Sequence, residues 1–210
     1  MVAYSSRGGV QVYLRVLLSL LFVCMAIGTS FGGEEFINVA VGRHEDGFVV
    51  DAVIVAPVSR RTAWDVLTDF DSMSSIVHNL TLSKVISRDG TTLVLKQEGA
   101  VKYGPFNLSF QSEREIRLEP TVRIVVKQLS GSLKSMVSET RLDPGSHQAS
   151  GVRITYRAEI SPDSLLARLF GGSFVRDGVQ EQFMLLVAEM KRREAIHLPS
   201  ETTQGGESIR

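Results

Sequence analysis

Alternating apolar and polar positions dominate the second half of the chain. Phe106, Leu108 and Phe110 alternate with polar neighbours, and the same alternation runs from Val152 to Ile160. A period of two places successive side chains on opposite faces of a strand. The pattern therefore predicts strands with one apolar face and one solvated face.

Seven segments carry a strand pattern. The first, Phe48 to Ala56, is rich in β-branched residues and ends at Pro57. Six more follow between residues 80 and 161, separated by short turn-forming stretches such as Arg88 to Gly90 and Asp143 to Gly145. Because connections this short join antiparallel neighbours, the pattern predicts an antiparallel meander. The apolar face of such a sheet needs a cover.

Two helical patterns flank the run of six strands. Ser59 can accept hydrogen bonds from the free N–H groups of a helix start, and Ala63, Val66 and Leu67 follow at helical spacing. The residues from Ser173 to Ile196 have the pattern of one long helix, which we expect to cover the apolar face of the sheet. The apolar stripe of this helix consists of Val175, Val179, Phe183, Leu186 and Met190.

The termini differ in composition from the central region. Residues 1–30 combine two basic residues, the apolar run from Val16 to Ile27 and a small-residue exit, which is the pattern of a secretory signal peptide. The run is shorter than the roughly 20 apolar residues that a spanning helix needs, so we favour cleavage over an uncleaved N-terminal anchor. We therefore expect an exported protein, periplasmic or secreted. We expect a lead-in segment at residues 31–47, the folded domain at residues 48–196 and a flexible tail at residues 197–210.

Composition excludes several classes of function. Lys and Arg together number 23, as do Asp and Glu, so no net charge favours nucleic acid as a partner. Cys24 is the only cysteine, which excludes disulfide bonds within the chain and cysteine-rich metal sites. The four histidines lack metal-ligand spacing, and no nucleotide-binding fingerprint occurs. We predict no metal, no cofactor and no nucleic-acid partner, and the oligomeric state is left open.

Asp69 and Asp71 raise the question of a catalytic carboxylate pair. They flank Phe70 at a helix end, and nothing in the sequence directs both side chains into one pocket. A glycosidase-type pair requires two carboxylates at a set separation across the substrate. We therefore interpret both aspartates as residues that end the helix and form the turn, and Trp64 as a core residue. We predict no catalytic residue.

A family resemblance rests on the segment that begins at Ala56. Ala56 and Pro57 end a strand, and the following stretch AWDVLTDFDSMSSIV contains a Trp-bearing helix and an Asp-aromatic-Asp turn. Residues 48–196 resemble the START-like (SRPBCC) superfamily, specifically its polyketide cyclase/dehydrase and coenzyme-Q-binding START-domain branch. The resemblance implies an α+β helix-grip fold, in which a seven-stranded antiparallel sheet curves around a long C-terminal helix, with two short helices after the first strand. It also implies a cavity for a hydrophobic small molecule between the sheet and that helix.

Candidates for the cavity wall come from the apolar faces of the predicted elements. Each candidate could line a cavity or fill the core, and Tyr156 and Gln182 could orient a polar group of a ligand. We predict non-enzymatic binding or transport of a lipid- or isoprenoid-like molecule. The alternative is an enzyme of the polyketide cyclase or dehydratase type, with an acid or base in the same cavity. Whether the protein also contacts a membrane transiently is left open. The candidates are Phe106, Leu108, Phe110, Tyr156, Gln182, Phe183 and Leu186.

Overall fold

An antiparallel sheet organises the part of the chain that the computed structural model describes. The predicted signal peptide and the predicted tail beyond residue 197 lie outside that part. The side chains of Tyr103, Phe106 and Pro144 also lie outside it. The described residues are 35–45, 47–103, 105–144, 151–163 and 171–197.

The sheet has eight strands within the described residues, in the order β1-β2-β8-β7-β6-β5-β4-β3. Every neighbouring pair is antiparallel. The last strand therefore pairs with β2, and the strands β3 to β8 form the predicted meander. The strands are β1 (Phe36–His44), β2 (Gly47–Ala56), β3 (Leu80–Asp89), β4 (Thr92–Tyr103), β5 (Phe106–Glu119), β6 (Arg123–Gly131), β7 (Leu133–Pro144) and β8 (Val152–Pro162).

Strand β1 corrects the prediction of seven strands. It lies inside the segment 31–47, which the sequence had suggested was a lead-in. The strand forms a hairpin with β2, in register from Phe36 opposite Val55 to His44 opposite Gly47. Most of its side chains stay exposed or half-buried because it is an edge strand. With few buried positions and a glycine within it, its apolar alternation is too weak to stand out in the sequence.

Three helices occur in the described residues: α1 (Arg60–Leu67), α2 (Met73–Ile76) and α3 (Gly172–His197). The predicted N-cap of α1 is confirmed, since Ser59 Oγ accepts a hydrogen bond from the Thr62 backbone N–H at 3.1 Å. Together α1 and α2 are the two short helices expected between the first predicted strand and the meander. Helix α3 extends the predicted long helix by one residue at each end.

Helix α3 covers the inner face of the sheet, as predicted. Phe183, Leu186, Val187 and Met190 are buried, whereas Val175 and Val179 are partly buried against the same core. The helix packs on β1, β2 and α1. Over β4 to β8 it leaves space between helix and sheet, and this space is the candidate site. Trp64 is a core residue, as the sequence indicated.

Candidate functional site

A space with a volume of about 280 Å³ lies between α3 and the inner face of β4 to β8. The end of α1 and the segment around α2 close one side of it. Most of its lining is apolar, and a few polar side chains from the sheet, from α3 and from the segment before β3 complete it. We call this space the helix-side cavity. Its apolar lining includes Leu67, Phe70, Met73, Leu95, Ile116, Ile124, Met136, Val179, Phe183 and Leu186, and its polar lining includes Asn79, Gln97, Arg114, Ser138, Thr140, Tyr156 and Gln182.

A second space of about 230 Å³ lies toward the beginning of α3. We call it the strand-side cavity. Each volume is close to the lower bound of the roughly 300–1,000 Å³ typical of small-molecule sites. The lining of the strand-side cavity includes Phe48, Val101, Leu108, Ser112, Gln128, Leu133, Pro162, Phe174 and Val175.

Phe110, Arg114 and Ile160 line both cavities and so form their shared wall. The Phe110 ring lies over Gly99 on the adjacent strand β4. A Cβ atom at Gly99 would stand 2.7 Å from Cζ of that ring and 2.1 Å from the backbone oxygen of Asn79. Because both distances are too short for any side chain, only glycine at this position allows the Phe110 ring to occupy the wall.

Arg114 is a charged residue in this apolar wall. It lies in β5, between the buried residues Ser112 and Ile116 on the inner face. Burial lowers the pKa of the Arg114 guanidinium, and the Tyr156 phenol opposes that effect. Arginine nevertheless remains protonated at neutral pH. Among the described residues, no carboxylate lies within 4.0 Å of its nitrogens.

Tyr156 lines the helix-side cavity, as Arg114 does. Burial raises the pKa of its phenol, and the Arg114 guanidinium and the Ser138 hydroxyl oppose the rise. The ring packs edge-to-face on Phe183 of α3, with centroids 5.4 Å apart and an interplanar angle of 67°. At neutral pH the phenol is therefore protonated, and it can donate a hydrogen bond to a bound molecule.

The structure places six of the seven sequence-predicted residues in the walls of these cavities. Tyr156, Gln182, Phe183 and Leu186 line the helix-side cavity, and Phe110 lines both. Leu108 lines the strand-side cavity. The side chain of the seventh, Phe106, lies outside the described residues. That these residues bind a ligand stays a prediction.

Sequence reasoning missed the polar residues that β5 contributes to the cavity walls. The alternation that begins at Leu108 and Phe110 continues through Ser112, Arg114 and Ile116 on the same face of β5. A positive charge at an inward position of an apolar strand was the available signal. The predicted alternation ends at Phe110 and therefore does not include Arg114 among the cavity residues.

Asp69 and Asp71 serve the architecture, as the sequence indicated. Asp69 Oδ2 accepts a hydrogen bond from Arg193 Nη2 of α3 at 2.7 Å. Burial opposes ionisation of Asp69, but the bonds from Arg193 and Ser72 hold its pKa below the usual value. Asp71 Oδ1 accepts from the Val85 backbone N–H at 2.8 Å and so ties the turn to β3. Neither aspartate lines either cavity.

Glu194 of α3 completes the attachment of that helix to α1. Glu194 accepts hydrogen bonds from the Ser59 backbone N–H at 3.0 Å and from the Thr62 hydroxyl. A carboxylate at the beginning of a helix also interacts favourably with the helix dipole. The C-terminal half of α3 is thus fixed to α1, while its N-terminal half roofs the cavities.

The described residues contain no group of three or more His, Cys, Asp or Glu side chains arranged to hold a metal ion. Among the helices of the described ranges, none combines the length and apolar character that a membrane span requires.

Comparison with known proteins identifies the family. The family model described as polyketide cyclase / dehydrase and lipid transport matches residues 56–183, more than half of the chain. No curated protein matches the chain.

Solved structures share the architecture at low sequence identity. A protein of Thermus thermophilus superposes with a TM-score of 0.59 at 13% identity, over 69% of this chain and 98% of its own. A STAR-related lipid transfer protein fragment from Xanthomonas axonopodis gives 0.57 at 13% identity, over 76% and 99%. The Zhui aromatase/cyclase from Streptomyces sp. R1128 gives 0.52 at 16% identity, over 69% and 94%. These likenesses show the fold, which confirms the predicted α+β helix-grip architecture.

Proposed function

The chain belongs to the family of polyketide cyclases, dehydrases and lipid-transport proteins, and from this premise we propose that it binds or transports a hydrophobic small molecule without covalent chemistry. The ligand, lipid-like or isoprenoid-like, occupies the space between α3 and β4 to β8. The observation that carries the proposal is the chemistry of the cavity walls. Their surface is mainly apolar, with a few polar groups, as in sites that bind and orient small molecules.

A cyclase or dehydratase in the same cavity is the alternative, and the wall chemistry weighs against it. Proton transfer at carbon or oxygen needs a group whose pKa lies near the working pH. Among the lining residues that the structure describes, none is a carboxylate or a histidine, and the ionisable side chains are Arg114 and Tyr156. The pKa of Tyr156 is raised, so its phenol is not a base at neutral pH. A carrier needs no such base.

The test is uptake of fluorescent acyl and isoprenoid probes by the full-length protein. We expect saturable binding by the parent protein. Val179→Trp should reduce probe affinity about ten-fold or more, because Val179 lines the helix-side cavity and an indole would fill space the ligand needs. Met184→Trp is the matched control, since Met184 lies on the same helix but is exposed to solvent.

Two outcomes would contradict the proposal. If the parent protein takes up no probe of either class, the cavities do not serve a hydrophobic ligand. If the protein turns over a polyketide substrate and Tyr156→Phe abolishes turnover while leaving substrate affinity intact, the enzymatic alternative is correct.

A further inference from the structure

The wall of the strand-side cavity contains polar groups that the described protein residues leave unsatisfied. Arg114 Nε and Ser112 Oγ are buried and have no hydrogen-bond partner among the described residues, and both residues line the strand-side cavity. Gln128, directly opposite Arg114 on β6, also has a buried unpartnered side-chain oxygen. Such atoms are rare in native proteins and call for an explanation, because each unmade hydrogen bond costs free energy.

Charge makes Arg114 the most costly of these groups. Breaking or omitting the partner of a buried ion is strongly destabilising, because desolvation is then uncompensated. Arg117, an exposed arginine three residues along the same strand, has a partner, since its Nη2 lies 2.8 Å from Glu115 Oε1. The described protein supplies no anion for Arg114, whose side chain instead borders both cavities.

We propose that the ligand is an amphiphile with a carboxylate head, such as a fatty acid, and that Arg114 binds this head at the shared wall. The hydrocarbon chain then lies in the apolar parts of the cavities. This inference rests on the proposed function and names the class of its ligand. Ser112 lies next to Arg114 on the inner face and supplies a second donor. Tyr156 of β8 lines the helix-side cavity together with Arg114, and its protonated phenol can supply a third.

A carboxylate matches this site better than a phosphate does. The guanidinium presents two parallel N–H groups that suit the two oxygens of a carboxylate, and the single positive charge balances its single negative charge. A phosphate monoester carries about −1.5 to −2 charges at neutral pH and would need a second cation. Among the described residues that line either cavity, Arg114 is the only cation. Gln128 Oε1 is an acceptor and makes no hydrogen bond to an anion.

The experiment compares two probes that differ only in the head group. Dodecanoic acid and dodecan-1-ol are titrated into the full-length protein at neutral pH, by displacement of a fluorescent acyl probe. We expect the parent protein to bind the acid at least about ten-fold more tightly than the alcohol. Arg114→Met should remove this preference while leaving the affinity for the alcohol unchanged. Arg114→Lys should retain part of the preference, because lysine keeps the positive charge but lacks the two parallel N–H groups of the guanidinium.

Arg117→Met is the matched control, because it removes an arginine from the same strand at an exposed position. It should leave both affinities unchanged. Thermal melting confirms that each variant is folded, and the ligand-free Arg114→Met protein should melt no lower than the parent, since it loses an uncompensated charge. Lowering the pH through the pKa of the carboxyl group should erase the preference for the acid in the parent protein.

The outcomes separate this inference from the proposed function. Equal affinity of the parent for acid and alcohol would overturn the carboxylate assignment but leave a hydrophobic carrier intact, with water solvating Arg114. A preference that persists in Arg114→Met would also overturn it. If the parent binds neither probe nor the fluorescent acyl reporter, the proposed function itself fails.

Discussion

Filling the strand-side cavity should change ligand uptake without a large loss of stability. Leu108 is half-buried and lines this cavity of about 230 Å³. In Leu108→Trp the indole can extend into free space, so we expect little strain. The same indole occupies volume that a ligand chain would need. Uptake of an acyl probe should therefore fall about ten-fold or more.

Leu142→Trp measures what the same substitution costs where no space is available. Leu142 is 1% exposed, belongs to the packed core and lines neither cavity. Overpacking of a filled core costs about 1–3 kcal/mol. At roughly 2–4 °C per kcal/mol for a chain of this size, the melting temperature should fall by roughly 2–12 °C. The melting temperature of Leu108→Trp should fall by less than the lower end of that range.

The assay pairs thermal melting with probe titration on the parent and both variants. We expect opposite results for the two variants. Leu108→Trp should lose probe uptake and keep its melting temperature, whereas Leu142→Trp should have a lowered melting temperature. If Leu108→Trp melts as low as Leu142→Trp, the space beside Leu108 is not free. If Leu108→Trp keeps both stability and uptake, the ligand does not use the strand-side cavity.

Two further predictions concern acid stability and export. Hydrogen bonds from Arg192, and then from Arg193, lower the pKa of Glu189 from 4.5 to about 2. Because the folded-state pKa is depressed, the stabilisation is fully present above about pH 4.5 and is lost as the pH falls toward 2. Melting temperatures measured across that window should decline less steeply in Glu189→Gln than in the parent, and parallel curves would contradict the assignment. For export, N-terminal sequencing of the protein from its own host should begin near Phe31, and an intact Met1 terminus in a soluble cytosolic fraction would refute cleavage.

Local periodicity determined much of the architecture. The strands of the meander and the long helix were predictable because each element buries one face, and burial of one face imposes a period of two or of 3.6 on the sequence. Turn residues between the strands then set the antiparallel order. The N-cap at Ser59 followed from the side chain itself, which accepts a hydrogen bond from the backbone only three residues away. All of these signals act between residues close in sequence.

Signals of this kind fail where burial is incomplete. Strand β1 lies at a sheet edge, where most of its side chains are exposed or half-buried. It pairs with β2 along its whole length through backbone hydrogen bonds, which require no particular side chains. The sequence therefore indicated a lead-in, and only the assembled sheet made it a strand.

The cavities and the isolated charge of Arg114 depended on tertiary structure. Alternation assigns Leu108, Phe110 and Arg114 to one face of β5, but it does not say whether α3 meets that face or stands away from it. Helix α3 is fixed at its other half, through Arg193 to Asp69 and through Glu194 to α1. That attachment joins residues more than a hundred positions apart, and it leaves the space over β4 to β8 unfilled. Whether a side chain packs or lines a cavity is decided by such distant contacts, because local pattern specifies only the direction in which it points.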